Sequence, residues 1–416
     1  MKNFVKILSG QKGQVVSMFT FLGLIIMLGM ALTMNFLISL GQKNITNDVK
    51  STQSYYAAES GIEDALLRLK KTPSITSLSY DFDVNNITVN VEIPSNIGIS
   101  KTIISQADNN DIIRKIETIC SLDNTQNINF YYGIQAGAGG LVMGSNSEVI
   151  GNVFSNGNIS GSGTIDNNVV ISGNGNSIEG VYVKGDVLAY SCSSATIDGN
   201  LTYVTGGLHN CAVSGTTSEQ SEEISQQPLP IPESQIEDWK NAAAEGGVFP
   251  GNKSISGGQT LGPIKITGNL NLSNNTILTL TGVVYVQGNI TFGNNTNVRL
   301  DGSYGSLGGV LISDGTINMG NNDVFSGSGQ TGSYILLIST STSDSAIVVS
   351  NNSTGAVFYT TAGSLRLSNN VSVTEATGYR IIMNNNSSIQ YSTGIVNIYF
   401  ASGPGAAWEV TSWQEK

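Results

Sequence analysis

Residues 15–40 carry no charged side chain and are dominated by Leu, Ile, Met, Phe and Val, and this run constrains the chain more than any other feature. Its 26 positions, wound as an α-helix, reach about 39 Å, more than the roughly 30 Å of hydrocarbon in a bilayer. Lys2, Lys6 and Lys12 precede it. By the positive-inside rule the leader stays in the cytoplasm and everything after residue 40 goes outward. A secretory signal has an apolar core of about 7–15 residues and then a small-residue cleavage site. Here the run is longer and gives way to Ser39-Leu40-Gly41-Gln42-Lys43, so the expectation is a single-pass cell-membrane protein with a cytoplasmic N-terminus and an extracellular or surface ectodomain.

Beyond Gly41, apolar residues return at helical spacing. Ile45, Val49, Tyr56, Ile62, Leu66 and Leu69 make one stripe on a segment ending near Lys71-Thr72-Pro73, which extends the membrane helix as an amphipathic stalk. Lys12-Gly13-Gln14 ahead of the apolar run, followed by Tyr55-Tyr-Ala-Ala-Glu-Ser-Gly-Ile62, resembles the N-terminal region of PilX-type minor pilins over roughly residues 10–71. The resemblance implies that a prepilin peptidase cuts between Gly13 and Gln14, and that the helix then packs in a filament core or stays in the membrane. It also marks Ala57, Ala58 and Glu59 as the pilin-like motif, and implies other pilin subunits or the pilus assembly machinery as partners. The glutamate typical of the fifth mature position in type IV pilins is Met18 here. An uncleaved signal-anchor is the competing reading of the same segment, with Glu59 then a solvated helix residue.

The rest of the chain is short apolar strands between Gly, Asn, Asp and Ser. Charged residues make up only 12% while hydrophobic residues still reach 39%, which excludes a charge-rich disordered tail. A net charge of −11 with scattered Lys and Arg disfavours nucleic acid as a partner. Residues 72–131 read as a small β region through the alternation in Ile87-Thr-Val-Asn-Val-Glu-Ile93 and around residues 112–119. It is expected to shield the stalk and cap the strands beyond residue 131, with Arg114 and Lys115 as solvated edge charges. From about Gly133 a loose unit recurs at Val183-Lys-Gly-Asp-Val187, Ile197-Asp-Gly-Asn-Leu201, Ile266-Thr-Gly-Asn-Leu270 and Val286-Gln-Gly-Asn-Ile290. Asn pairs at 274–275, 294–295, 321–322, 351–352 and 369–370 punctuate the later half. Gly and Asn tolerate the left-handed corners of a coil, and stacked asparagines can hydrogen-bond along its axis.

The expected fold is therefore mostly β: a right-handed parallel β-helix (solenoid) ectodomain behind a long N-terminal helix and a small β region. A jelly roll or sandwich would show longer alternating strands and no repeating turn. The divisions are a leader at 1–13, membrane helix and stalk at 14–71, small β region at 72–131, solenoid at 132–214, a Pro-rich linker with a short helix at 215–250, and solenoid again at 251–416. Ser234 and Glu237 form a capping box for the short helix, with Ile236, Trp239 and Ala243 on one face and Gly246 at its end. Trp239 is expected to pack that helix on the solenoid flank. The two tryptophans after Gly403 are expected to close the last coil.

Cys192 and Cys211 lie nineteen residues apart, about one coil, and are the pair expected to form a disulfide on adjacent coils; Cys120 reads as a buried thiol. One histidine, His209, and no paired-cysteine motif leave no expected metal or cofactor. Parallel β-helices also host polysaccharide lyases and hydrolases. The carboxylates available, Asp166, Asp186, Asp198, Asp301 and Asp314, are sparse and mostly fall in turns, so no catalytic residue is assigned. The Asn158, Asn200, Asn271 and Asn289 sequons are explained by corner composition. A polar flank suits repeated weak contacts with glycan.

Overall fold

The computed structural model describes residues 8–71, 77–94, 100–122, 130–392, 400 and 408–416. Residues 1–7 of the expected leader, Pro73 and the 403–407 segment lie outside them. Helix α1, Leu8–Lys71, runs unbroken for 64 residues, about 96 Å at the α-helical rise. Its residues 15–40 are almost entirely exposed, and the stretch is long and apolar enough to cross a membrane. Polar side chains within it turn back on their own helix: Thr20 donates to Ser17 O at 2.9 Å and Thr33 to Met30 O at 2.9 Å. That is how a hydroxyl is satisfied where no water is at hand.

The C-terminal half of α1 lies on an antiparallel sheet of β1 (Leu78–Val84), β2 (Ile87–Ile93), β3 (Ser100–Asp108) and β4 (Ile113–Leu122). Asn85 and Asn86 both take positive φ, as a tight β1–β2 hairpin requires. Alternation along β2 puts Ile87, Val89, Val91 and Ile93 inward, where they share a core with Ala57, Ala58, Ile62, Ala65 and Leu69 of α1. The stripe expected from periodicity holds in its C-terminal half, where Ile62 and Leu69 are buried and Leu66 packs on the core, while Ile45, Val49 and Tyr56 are exposed. Between these large residues the docked face carries Ala57, Ala58 and Ala65, whose short side chains let the helix approach the sheet closely.

The fifth strand of this sheet is the C-terminal one, Trp408–Glu415, antiparallel to β4. The C-terminus therefore does not close the solenoid. Arg114 and Lys115 are not edge charges either, since β4 is covered on both sides. Arg114 donates to Ser51 Oγ at 2.9 Å and Glu415 Oε1 at 2.8 Å, tying helix, sheet and C-terminus together.

The remaining strands are parallel and short, and they stack as a β-solenoid stacks. Each coil lays one strand on each of three stacks, as Ile264–Ile266, Leu270–Leu272 and Ile277–Leu280 do, and each pairs with its counterpart one coil on. Inward residues such as Ile266, Leu270, Leu272 and Leu278 form a continuous core. The corners carry the expected asparagine ladders. Asn275, Asn295, Asn322 and Asn352 all sit at φ near +60°, and each side-chain amide donates to the previous one at 3.1–3.3 Å. A second ladder uses Asn252, Asn269 and Asn289 as acceptors for the backbone of the next coil at 2.8 Å.

The order of the coils in space differs from their order in sequence. One stack begins at Val248–Phe249 and continues through Ile264–Ile266, Val284–Val286, Gly309–Ser313, Ile335–Ser339, 357–360 and 375–378. The next strand is 134–136, and the stack ends through Val153–Ser155, Val169–Ile171, Val187–Ala189, Leu201–Val204 and Thr217–Gln220. The first solenoid strand thus lies mid-stack, paired on both edges, so the small β region cannot cap the solenoid. Even the corner ladder crosses this seam, with Asn146 donating to Asn386 at 3.3 Å. The blocks expected at 132–214 and 251–416 extend to Gln220 and from Val248 respectively.

Residues between them are no simple linker, because the chain must return along the stack. Helix α2, Glu233–Glu245, lies on the flank of this return and buries Ile236, Trp239, Ala242 and Ala243 against Val283, Tyr285, Val310, Ile312, Leu336 and Ile338. Its N-cap is Pro232 with no side-chain cap, so the Ser234–Glu237 capping box does not form; Glu237 pairs with Lys240 instead.

Candidate functional site

Two regions bring functional side chains together: the docked part of α1, and the flank where the return segment crosses the solenoid. On α1 the motif residues Ala57 and Ala58 are buried against the sheet and Glu59 is half-buried. Ser54 donates to Ile112 O at 2.8 Å. Tyr80 and Arg68 both bond Asp64, and the Arg68 guanidinium lies 4.1 Å from the Tyr80 ring centre. Lys101 is buried on β3, where desolvation lowers its pKa. Gly13 and Gln14 lie on the helix backbone ahead of the exposed apolar stretch, and Met18 is 77% exposed.

On the flank, a cleft of about 720 Å³ opens between the return segment, the first turns of α2 and the solenoid, lined by Leu229, Ile231, Glu233, Glu237, Lys240 and Thr361 among others. Lys240 Nζ is held by Glu237 Oε1 at 2.7 Å and Asp314 Oδ1 at 2.9 Å. Burial alone would pull its pKa down, and those two carboxylates outweigh it, holding the ammonium above its ordinary value. Asp314 also accepts from Tyr285 and from Thr340 at 3.0 Å, which keeps its carboxyl below the usual range despite its burial. Burial and Asp314 together push Tyr285 up to about 12. The cluster fastens α2 to the stack.

Glu375 is one of two carboxylates among the described residues with no exposed surface, the other being Asp323. Glu375 lies fully buried at the seam, accepting from Thr377 Oγ1 at 2.5 Å, while its other oxygen has no partner among the described residues. Tyr359 and Tyr391 lie near it, their hydroxyls spent on Ile231 O and Phe130 O. Burial therefore drives the carboxyl well above the usual carboxylate range. A raised folded-state pKa means that stability is intact below the unfolded pKa and is lost as pH rises through the folded one. Glu375→Gln is expected to match the parent near pH 4 and to gain from neutral pH upward, by roughly 1.4 kcal/mol for each unit of displacement. Urea unfolding at the two pH values reads this difference, and equal stability at both would refute it.

The remaining sequence candidates are dispersed. Asp166 pairs with Lys184 at 2.6 Å, Asp198 accepts from Tyr182, Asp186 accepts from Asn200 N at 2.7 Å, and Asp301 caps a 3₁₀ turn. His209 is exposed, with its ring 4.5 Å from that of Tyr203. Among the described residues no group of His, Cys, Asp and Glu is arranged to hold a metal. Cys192 and Cys211 are joined as a disulfide, Cα atoms 5.9 Å apart, and Cys120 is a buried free thiol. The Asn200 and Asn289 side chains serve the ladders, and Asn158 accepts from Ser177 N at 2.9 Å. Sequence reasoning missed Glu375 and the Lys240–Asp314 pair. Both depend on strands brought together from distant parts of the chain, which no local pattern encodes.

No family model matches the chain. No curated protein matches it either. Among solved structures it is similar to the competence-associated pilin ComZ from Thermus thermophilus at 9% identity and a TM-score of 0.24, covering 88% of this chain and 97% of that one. It is also similar to an ice binding protein from an Antarctic bacterium, Flavobacteriaceae, at 10% identity and a TM-score of 0.15, covering 63% of this chain and 81% of that one. At these TM-scores neither likeness carries an argument.

Proposed function

We propose that this chain is a membrane-anchored, pilin-like surface protein, a PilX-like minor pilin whose head is a right-handed parallel β-helix. One observation carries the reading. A single helix, charge-free and exposed over residues 15–40, runs without a break to Lys71, and a small antiparallel sheet docks on it at Ala57, Ala58 and Ile62. A segment that must be covered by lipid or by other helices is thereby coupled rigidly to the parts outside.

In this reading Lys2, Lys6 and Lys12 hold the precursor's leader in the cytoplasm, a prepilin peptidase then removes that leader after Gly13, and the helix stays in the membrane or joins a filament with other pilin subunits. The solenoid is a structural, non-catalytic element placed at the cell surface, where its polar outer columns make weak, repeated contacts with glycan. Met18, in place of a carboxylate that would pair with a neighbour's amine, favours a second reading: a signal-anchored adhesin or envelope spacer. Mass analysis of the membrane-extracted protein separates the two. The mature chain is expected to begin at Gln14, and Gly13→Leu to retain the whole leader while still fractionating with membranes. A parent chain that still carries residues 1–13 would remove the pilin-like assignment and leave the tether.

A further inference from the structure

The two terminal coils of the stack differ from those between them. In the middle coils the inward side chains are buried, whereas Cys211 and Val213 at one end, and Phe249 and Ile264 at the other, are only partly covered. Leu208, on the coil at the first of these ends, is 76% exposed. Among the described residues Thr217–Gln220 pairs only with Leu201–Val204, and Val248–Phe249 only with Ile264–Ile266, so each end leaves a row of backbone donors and acceptors unpaired in the sheet. Solenoids need their ends covered, because such edges recruit further strands. Among the described residues nothing provides that cover: α2 lies on the flank and the C-terminal strand belongs to the small sheet.

The charges at the two ends are opposite. Residues 201–224 contain Glu219, Glu222 and Glu223 and no Lys or Arg, while residues 248–266 contain Lys253 and Lys265 and no Asp or Glu. Glu222 and Glu223 are exposed, and the Lys253 ammonium lies 4.4 Å from the Phe249 ring centre, beside the inward residue it partly covers. The molecule also contains the required joint already. At the seam, 375–378 and 134–136 are not consecutive in the chain, yet they pair in parallel register with the core continuous across them.

We propose that the acidic terminal coil, residues 201–224, docks strand on strand against the basic terminal coil, residues 248–266, of a second copy of this chain, joining solenoids head to tail. All strands in the stacks run parallel, so one molecule's last coil presents to the next the same edge that the seam presents within a molecule. The contact is heterologous and does not close on itself, which makes rows of molecules. It adds main-chain hydrogen bonds for affinity, and the opposite charges select the head-to-tail order over head-to-head. It is independent of leader cleavage, so a retained leader leaves it untouched.

The full chain in mild detergent, followed by sedimentation and electron microscopy, tests it. Rows of solenoids joined end to end are expected, lengthening with concentration and shortening as salt rises from about 0.05 M to about 0.5 M. A chain with Lys253→Glu and Lys265→Glu has two acidic ends, and one with Glu219→Lys, Glu222→Lys and Glu223→Lys has two basic ends. Each alone is expected to lose the rows, and mixing the two to restore them, which also shows that both variants fold. Monomers at every concentration of the parent, rows indifferent to the charge reversals, or a mixture that stays monomeric would each overturn the proposal.

Discussion

Trp239→Ala is expected to destabilise the chain by about 3–5 kcal/mol and to open the return segment to protease. Trp239 is the largest side chain buried on α2, with no exposed surface. Its ring meets Phe400 edge-on at 6.3 Å, and Phe400 in turn meets Phe130 at 6.3 Å. Phe130 and Phe400 lie where the chain passes between the small sheet and the solenoid, so one indole holds both the flanking helix and these connections. Removing it leaves a cavity between α2 and the strands around Val310 and Leu336 that neighbours fixed in a parallel sheet cannot collapse to fill.

Trp239→Phe discriminates this account from a general intolerance of change. The indole Nε1 is buried without a hydrogen-bond partner among the described residues, a cost of about 1–3 kcal/mol in the parent. Phe keeps most of the ring and removes that cost, so its loss should be far smaller than that of Ala. Urea unfolding of the detergent-solubilised protein measures both, and limited proteolysis should cut Trp239→Ala within residues 221–232. A loss below about 1 kcal/mol for Ala would mean that α2 is an ornament of the flank and not its fastening.

The same flank shows what the sequence makes legible and what it hides. The membrane-length helix, the strand-and-corner texture and the asparagine ladders come from local chemistry: missing charge, period-two alternation, and left-handed corners that Asn and Gly accept. The one-coil spacing of Cys192 and Cys211 is legible for the same reason, since adjacent coils bring together residues about one coil length apart in the chain. The order of the coils is not legible. A strand such as 134–136 presents the same edge whether its partner is the next coil or one from the far end of the chain. Only the summed burial of the whole stack decides.

A signal for the covered flank does exist, in the continuous apolar runs Val283-Val-Tyr-Val286 and Tyr334-Ile-Leu-Leu-Ile338, which lack the alternation of a half-exposed strand. Such runs mark strands buried on both faces, and these are the ones beneath α2. The C-terminal strand misleads because two tryptophans in a sequence do not say which strand edge they join, and the strand pairs with β4. The stalk stripe is legible at Ile62, Leu66 and Leu69 but not at Ala57, Ala58 and Ala65 on the same docked face of α1, because periodicity weights large residues.

That face supplies a substitution whose effect should change sign with position. An alanine in place of a helical glycine is worth up to about 1 kcal/mol of helix stability when nothing interferes. At Gly41 nothing lies within 4 Å of the added Cβ, so Gly41→Ala should be neutral or mildly stabilising. At Gly61 the same methyl would sit 2.1 Å from Ser105 Oγ, 2.9 Å from Val89 Cγ1 and 3.0 Å from Val91 Cγ2. The Ser105 side chain can rotate, but the two valines are fixed in β2, so the sheet must lift from the helix or the helix must shift. Overpacking of this kind typically costs about 1–3 kcal/mol, which outweighs the propensity gain, and Gly61→Leu should go further and undock the sheet. Arg114 would then lose Ser51, and Ser54 would lose Ile112 O, because both contacts span the same interface. Thermal unfolding of the three variants in detergent, with proteolysis of residues 78–122 as the local readout, gives the comparison. If Gly61→Ala proves as stable as Gly41→Ala, the close helix–sheet contact that couples the membrane segment to the head is not the rigid joint described.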